Sequence, residues 1–505
     1  MTFFWGIPIL LGMKVTLAGY NLDSVVIDEL KKHSPPRMDV TPETLSASYA
    51  RISRDPRPAD ELRAAARAEV ERARRSNRNI IFKMGHHSVA EHAVFNFDIV
   101  GVSRLALEEI EKFRLGSYTE KSQRYIKLKD DFVLPQEVKN AGLTEIFAGT
   151  ITAQNALYHE FYKELKPYFF DSYKDLAGNP KNHSMITGWA KEDARYVVSL
   201  ATQAQLGMTM NARNLEFLIR RFAAKELAEL KELNRRLYDL VKDVAPSIIL
   251  FTEASDYDSV TYKDLKHKAR ELFNPKKIGE DELVSLVSFT PDADNRLAAA
   301  LLHSSSSAPY RDCLAKAKKL SVEDKQSFLR KAGQHMEFYD FALREFEYLD
   351  LQFDLIVSAA CFAQLKRHRM ATMTTQPYDP GLGITVPPSI EAVGCGPEFL
   401  DMIQKTNDVY DLMREKMEVG AEYVLTNAHR KRVLFKVNMR ELYHMSRLRE
   451  DRTAQWDIRN VVSRMVDLAK EAMPMACSLI GGKDAYPEIY KRIYGKFPAF
   501  DPPKI

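Results

Sequence analysis

Met210–Arg221 reads MNARNLEFLIRR, and Val437–Arg449 reads VNMRELYHMSRLR. Both carry Asn-x-Arg-x-Leu. A long helical pattern follows each and runs to a proline, in KDVAPSIILF and in KEAMPMACSLIG. Likeness at such wide separation predicts one architecture laid down twice along the chain. Upstream, each copy has a strand pattern containing FDIV or FDLIV, then a short helix, then an arginine-bearing segment. In the first half that segment is Glu111–Tyr125, EKFRLGSYTEKSQRY. In the second it is Leu365–Asp379, LKRHRMATMTTQPYD.

AVFNFDIVG (Ala93–Gly101) and EYLDLQFDLIVS (Glu347–Ser358) alternate apolar and polar residues, as half-buried strands do. Most of the rest reads as helix. The spacing predicts a helix over Ala59–Ser76 and one long amphipathic helix over Leu215–Val244, stopped before Pro246. A charged, mixed stretch from Tyr257 to Glu282 reads as a linker. The expected organisation is an N-terminal extension at 1–12, a first domain at 13–256, a linker at 257–282 and a second domain at 283–505.

A chain of 505 residues is too long for one ordinary core, in keeping with two domains. Lys plus Arg number 73 against 69 Asp plus Glu, which argues against a dedicated nucleic-acid coat protein. The 45% hydrophobic content fits a soluble globular protein. Cys313, Cys361, Cys395 and Cys477 all lie in the second half, with no C-x-x-C pair. That pattern speaks against a disulfide framework or a thiolate zinc site and fits a reducing cytosol. The opening MTFFWGIPILLGMKV lacks a basic flank and a cleavage signal, and its apolar run is too short to span a bilayer. It reads as an upstream start before Met13 or as a small packing strand.

Three constellations carry chemistry. RLGSYTEKSQRY (Arg114–Tyr125) sets hydroxyl donors beside arginine, which suits a phosphate, and Glu120 can accept from an N–H of a uracil-like ring. The competing reading is a solvated loop with a surface ion pair. The KRHR of Lys366–Arg369 reads as cations at a helix C-terminus, or as a diphosphate clamp of two arginines with a histidine ring for stacking. GHHSVAEH (Gly85–His92) misses the zinc-helix patterns because position 88 is serine, so no metal is expected. No glycine-rich dinucleotide fingerprint or Walker loop is present, which argues against a Rossmann cofactor domain.

In order, GHHSVAEH, the FNFDI strand, FRLGSYTEKSQRY, EDAR (Glu192–Arg195) and NARNL resemble the flavin-dependent thymidylate synthases. The second half resembles them through FEY in place of the family's F-E-H, RHR, NMREL and RLREDRTAQWDIR (Arg447–Arg459). The likeness covers most of both halves. It implies an α+β fold of two tandem domains of this type, mainly long helices around an antiparallel sheet. It also implies FAD as cofactor, with NADPH and methylene-tetrahydrofolate as co-substrates, and conversion of dUMP to dTMP without an enzyme thiol. Carried over by motif, the nucleotide-binding residues are Glu120, Ser122, Arg124, Tyr125, Arg195 and Arg449, with Arg449 also catalytic. The cofactor-binding residues are His86, Glu91, Asn211, Arg213, Arg367, His368, Arg369, Asn438 and Arg440.

The departures from the family pattern are informative. In the first half R-H-R has become Lys112, Phe113 and Arg114, which predicts a weakened flavin clamp. In the second half Thr375, Pro377 and Asp379 hold the places of the family's Glu, Ser and Arg, and the EDAR counterpart near Glu422 has lost its arginine. An aspartate there would repel a phosphate. The losses are complementary, so composite sites shared between the halves are expected. A cytoplasmic homodimer would imitate the family tetramer, with no nucleic-acid or membrane partner. The alternative is a catalytically altered or inactive flavin- or nucleotide-binding paralogue.

Overall fold

The computed structural model describes residues 12–32, 39–273 and 282–500. The opening apolar stretch, residues 1–11, and residues 274–281 of the expected linker lie outside the described residues. The chain divides into two compact units. The first takes its described residues from Met1–Glu160, Val197–Lys277 and Pro397–Leu425; the second takes them from Phe161–Tyr196, Ile278–Gly396 and Thr426–Ile505. Each unit therefore includes a segment from the other half of the sequence.

Each unit contains a four-stranded antiparallel sheet. In the first, β1 (Lys14–Tyr20), β2 (Val94–Ser103), β3 (Ser117–Glu120) and β4 (Gln203–Asn211) lie in the order β1-β2-β4-β3. In the second, β5 (Val284–Phe289), β6 (Asp350–Ser358), β7 (Thr372–Tyr378) and β8 (Arg430–Asn438) lie in the order β5-β6-β8-β7. The helices include, in chain order, α1 (Arg104–Glu111), α2 (Thr144–Ser172), α3 (His183–Ala194), α4 (Ala212–Ala223), α5 (Ala228–Val241), α6 (Ala359–Leu365), α7 (Gly396–Lys416), α8 (Met439–Arg449) and α9 (Trp456–Ala472). Helices with antiparallel sheets make the fold α+β.

The alternation read from the strands is the pleat itself. Phe95, Phe97 and Ile99 of β2 and Leu206, Met208 and Met210 of β4 are buried against α4 and α5. Asn96 and Asp98 point to the open face. In the second unit Leu351, Phe353 and Leu355 of β6 join Val433, Phe435 and Val437 of β8 beneath α8 and α9.

Capping explains the repeated motif. Asn211 ends β4 and its side chain accepts from the Asn214 N–H, starting α4. Asn438 ends β8 and accepts from the Glu441 N–H, starting α8. The asparagine is thus a strand-to-helix switch. Ser103 and Ser358 do the same at the ends of β2 and β6, accepting from Ala106 and Cys361.

Three sequence readings change in detail. The helix expected over Leu215–Val244 is two helices, α4 and α5. No glycine or proline breaks it. The Ala228 N–H is taken by the Glu137 carboxylate at 2.6 Å, and Glu229 is drawn inside to accept from Ser103 and Tyr423. Tertiary hydrogen bonds therefore override helix propensity. The helix expected over Ala59–Ser76 breaks at Glu69, whose φ of −130° and ψ of 66° are not helical. The expected linker holds the helices Asp256–Ser259 and Thr261–Leu272, the first closed by a Ser255–Asp258 capping box. Among the described residues no helix is long and apolar enough to cross a membrane.

Candidate functional site

The RHR stretch follows α6 directly, and its side chains alternate. Arg367 and Arg369 are exposed, while His368 between them is 3% exposed. The histidine expected to offer its ring to a flat ligand is instead held inside. Its Nε2 accepts from Arg449 Nε–H at 3.1 Å, and its Nδ1 lies 3.2 Å from Glu441 Oε1. Because an arginine N–H only donates, Nε2 must be unprotonated and Nδ1 carries the hydrogen, donated to Glu441. Burial lowers the His368 pKa, outweighing the raising effect of the Glu441 hydrogen bond, and the Arg449 charge lowers it further. The Arg449 guanidinium is also fixed by Gln364, donating to its side-chain oxygen and its carbonyl at 3.3 Å each. Arg449 is the last residue of α8, and Glu441 lies in the first turn of the same helix.

The first unit places different chemistry at the corresponding positions. Lys112 and Arg114 are exposed and Phe113 turns inward, so the K-F-R stretch keeps the outward cations and alters only the inward residue. Phe113 meets Phe217 at 5.6 Å and Phe222 at 5.8 Å, both edge to face. Counting from the capping asparagines, Phe217 stands where α8 has His444, and Phe222 stands where it has Arg449. His368 meets His444 edge to face at 6.2 Å in the same way. One set is aromatic, with Phe217 at its exposed edge beneath Arg220 and Arg221; the other is hydrogen-bonded through His368 and Arg449.

A second pair of correspondences surrounds the N-x-R motif. Arg213 binds Glu91 at 2.6 Å, and Arg440 binds Glu347 at 2.9 Å. The glutamates sit on the short 3-10 turns His87–His92 and Arg344–Tyr348 that precede β2 and β6. Arg440 Nε–H also donates to the Ala342 carbonyl at 2.7 Å. Asn211 and Asn438 are spent as caps, and the exposed His86 ring lies 3.5 Å from Arg54.

The nucleotide segment of the first half is partly strand. Ser117–Glu120 forms β3 at the edge of the sheet, paired to β4. Glu120 binds Arg104 at 3.1 Å, largely shielded from water. Ser122 Oγ accepts from the Arg124 N–H at 3.1 Å, and the Arg124 guanidinium lies 5.5 Å from the Tyr125 ring centre. Tyr125 is 70% exposed. In the second half Thr375 and Pro377 lie in β7, where the pairing slips between Thr375 and Tyr378. Asp379 caps the turn Pro380–Leu382, accepting from the Gly381 N–H at 2.8 Å. The aspartate in place of the family's arginine thus holds a turn.

Arg195 belongs to the second unit although it comes from the first half of the sequence. It is buried, and its Nε–H donates to the Glu192 carbonyl at 3.2 Å. Asn427 Nδ2–H donates to its own carbonyl at 2.9 Å. Around it runs a polar network that the sequence reading missed. Asp193 accepts from Ser389 Oγ–H at 2.5 Å and Trp456 Nε1–H at 2.8 Å. Asp457 accepts from Tyr196 O–H at 2.9 Å and Ser358 O–H at 2.6 Å. Tyr196 stacks on Trp456 at 5.7 Å. Burial pushes the Asp193 carboxyl up to about 7. Only the AQWD run hinted at this, since Trp and Asp beside a helix start are costly to bury unpaired.

Two of the four cysteines are buried thiols held away from the thiolate form. Burial pushes the Cys361 thiol well above its ordinary value and the Cys477 thiol up to about 12. Among the described residues no three His, Cys, Asp or Glu side chains gather as a metal site.

The sequence profile of the Thy1 family, described as thymidylate synthase complementing protein, matches residues 38–247 and 285–475. Over 474 residues the chain is 23% identical to a Thermoplasma acidophilum protein described only as a UPF0159 protein, covering 86% of this chain and 94% of that one. It is 31% identical over 169 residues to the flavin-dependent thymidylate synthase of Geobacter sulfurreducens, covering 33% of this chain and 65% of that enzyme. Among solved structures, thymidylate synthase X of Helicobacter pylori with FAD and dUMP gives a TM-score of 0.30 at 16% identity, covering 47% of this chain and 99% of that one.

Proposed function

From the premise that this chain belongs to the thymidylate synthase complementing protein family, we propose that it is a flavin-dependent thymidylate synthase-like enzyme. In this reading it converts dUMP to dTMP with methylene-tetrahydrofolate as carbon donor and NADPH as reductant. Its ligand-binding residues are drawn from both halves of the sequence. The observation that carries the reading is Arg449, fixed through three hydrogen bonds to His368 and Gln364 and accompanied on the RHR stretch by two exposed guanidiniums.

The donor set fits a flavin dinucleotide. Arg367 and Arg369 present planar, permanently charged forks suited to phosphate oxygens. Bound there, FAD supplies hydride chemistry that no side chain of this protein can supply. The protein's own residues bind and orient. Arg124 and Ser122 of the first unit suit a phosphate. Arg449 suits negative charge developing on the pyrimidine, where a preorganised donor lowers the barrier without reorganising. The raised Cys361 and Cys477 thiols support a route without a cysteine nucleophile.

The sharing of residues between halves is supported within the second unit. Arg195, Asp193 and Tyr196 from the first half are packed there with Ser358, Ser389, Trp456 and Asp457 from the second. A homodimer of such two-domain chains would supply four domains, as a family tetramer does. The second reading, an altered paralogue, is favoured by Phe113 and Phe222, which leave the first half without its own His–Arg pair.

The test is to purify the full chain, add FAD, NADPH and methylene-tetrahydrofolate, and measure dTMP formed from dUMP. Product that disappears in Arg449→Ala supports the enzyme. Absence of product with intact flavin and nucleotide binding establishes the paralogue.

A further inference from the structure

His368 is the inward residue of the RHR stretch and touches Arg449 and Glu441 with its two nitrogens. The first unit shows the same arrangement of strand, helix and inward residue built with phenylalanine at the places of the histidine and the arginine. Phe113, Phe217 and Phe222 fill the places of His368, His444 and Arg449 and pack edge to face. A buried polar set that apolar residues replace in a like fold is not explained by stability, since such replacements are often neutral or stabilising. Its geometry instead makes a chain of orientation. The Glu441 carboxylate fixes which ring nitrogen carries hydrogen. The free lone pair of Nε2 then faces Arg449 Nε–H, and Gln364 holds the opposite edge of the guanidinium.

We propose that His368 is a positioning residue: its Nδ1–H tautomer, set by Glu441, aims the Arg449 guanidinium at an anionic pyrimidine nucleotide, and this device occurs once among the described residues. The identity of the ligand rests on the function proposed above; the orientation of Arg449 does not. The charged or titratable groups facing the ring are Glu441, Arg449 and, edge on, His444. A protonated His368 would present N–H to N–H at Arg449 and release it. Orientation of this kind changes ligand affinity through Arg449 alone, whereas a packing role would change the fold.

Two measurements on the full chain decide the matter. In the first, nitrogen spectra of histidine-labelled protein are recorded at pH 6 and 7.5 without ligand. His368, assigned by loss of its signal in His368→Gln, is expected as the neutral Nδ1–H form, shifting in Glu441→Ala and less in Glu441→Gln. A charged ring at pH 6, or an Nε2–H ring, overturns the proposal. In the second, dUMP affinity is measured for His368→Ala, Arg449→Ala and the double variant, with FAD uptake and melting as controls. Each single change is expected to weaken dUMP roughly tenfold or more, and the double no more than Arg449→Ala alone. Losses that multiply overturn the proposal. If the unmodified chain binds no dUMP, the assigned ligand is wrong, and the spectra still decide whether Glu441 and Arg449 govern the ring.

Discussion

Arg449 donates from Nε to His368 Nε2 across 3.1 Å, while at the corresponding place in the first unit Phe222 meets Phe113 with ring centres 5.8 Å apart. Both partners differ together. A histidine without its arginine would leave a buried acceptor unmet, and an arginine without its histidine would leave a guanidinium facing an aromatic core.

It follows that the first unit will not accept the second unit's arginine. Phe222 is 0% exposed and lies among Leu215, Leu218 and Ile219. Phe222→Arg is expected to cost about 3 kcal/mol or more, seen as a lower urea midpoint, because a buried charge would have no partner. Phe222→Leu should cost clearly less. Equal losses would show that the position tolerates charge.

The outward arginines should behave oppositely. Arg367 is exposed, so Arg367→Ala is expected to change stability by no more than about 0.5 kcal/mol. The same change should weaken FAD several-fold in a spectroscopic titration. Unchanged FAD affinity would remove Arg367 from the cofactor site.

The capping asparagines give a prediction about folding alone. Asn211→Ala and Asn438→Ala should each cost about 1 kcal/mol, and Asn438→Ser only a few tenths, because serine also caps. Denaturant titration of each variant measures this. Loss in one half but not the other would mean the two motifs do different structural work.

Stability should depend on pH through two buried groups of opposite sign. Burial pushes His429 down from 6.5 to about 4, so between those values the unfolded chain binds more protons and stability rises with pH. Burial pushes Asp193 up from 3.8 to about 7, so the folded chain binds more protons and stability falls as pH rises through that window. Each slope is at most about 1.4 kcal/mol per pH unit. The two oppose each other below 6.5, and only the Asp193 decline remains from there to about 7. Asp193→Asn should flatten that upper part of the urea-midpoint profile; an unaltered slope would place the titration elsewhere.

Much of the fold was legible in the sequence because its signals are local. Asn211 and Asn438 each end a strand and start a helix, and Phe95, Phe97 and Ile99 alternate with polar residues. The break between α4 and α5 was not legible, because Glu137, distant in sequence, takes the Ala228 N–H. Likewise the stretch around Arg367 showed two arginines and a histidine but not that the middle residue turns inward. That follows from the chain geometry after α6 and from Glu441 and Arg449, both far away in sequence. The Asp193 and Asp457 network was invisible because its members come from separate segments, each unremarkable alone.

A visible-light titration of the purified chain with FAD, followed by dUMP, tests most directly whether the protein is a flavoenzyme acting on this nucleotide. The natural chain is expected to be a yellow protein that binds one flavin per chain rather than one per half. Its flavin spectrum should shift on adding dUMP in the natural chain and not in Arg449→Ala. A folded chain that stays colourless in excess FAD, or whose bound flavin responds to dUMP equally without Arg449, would contradict that reading.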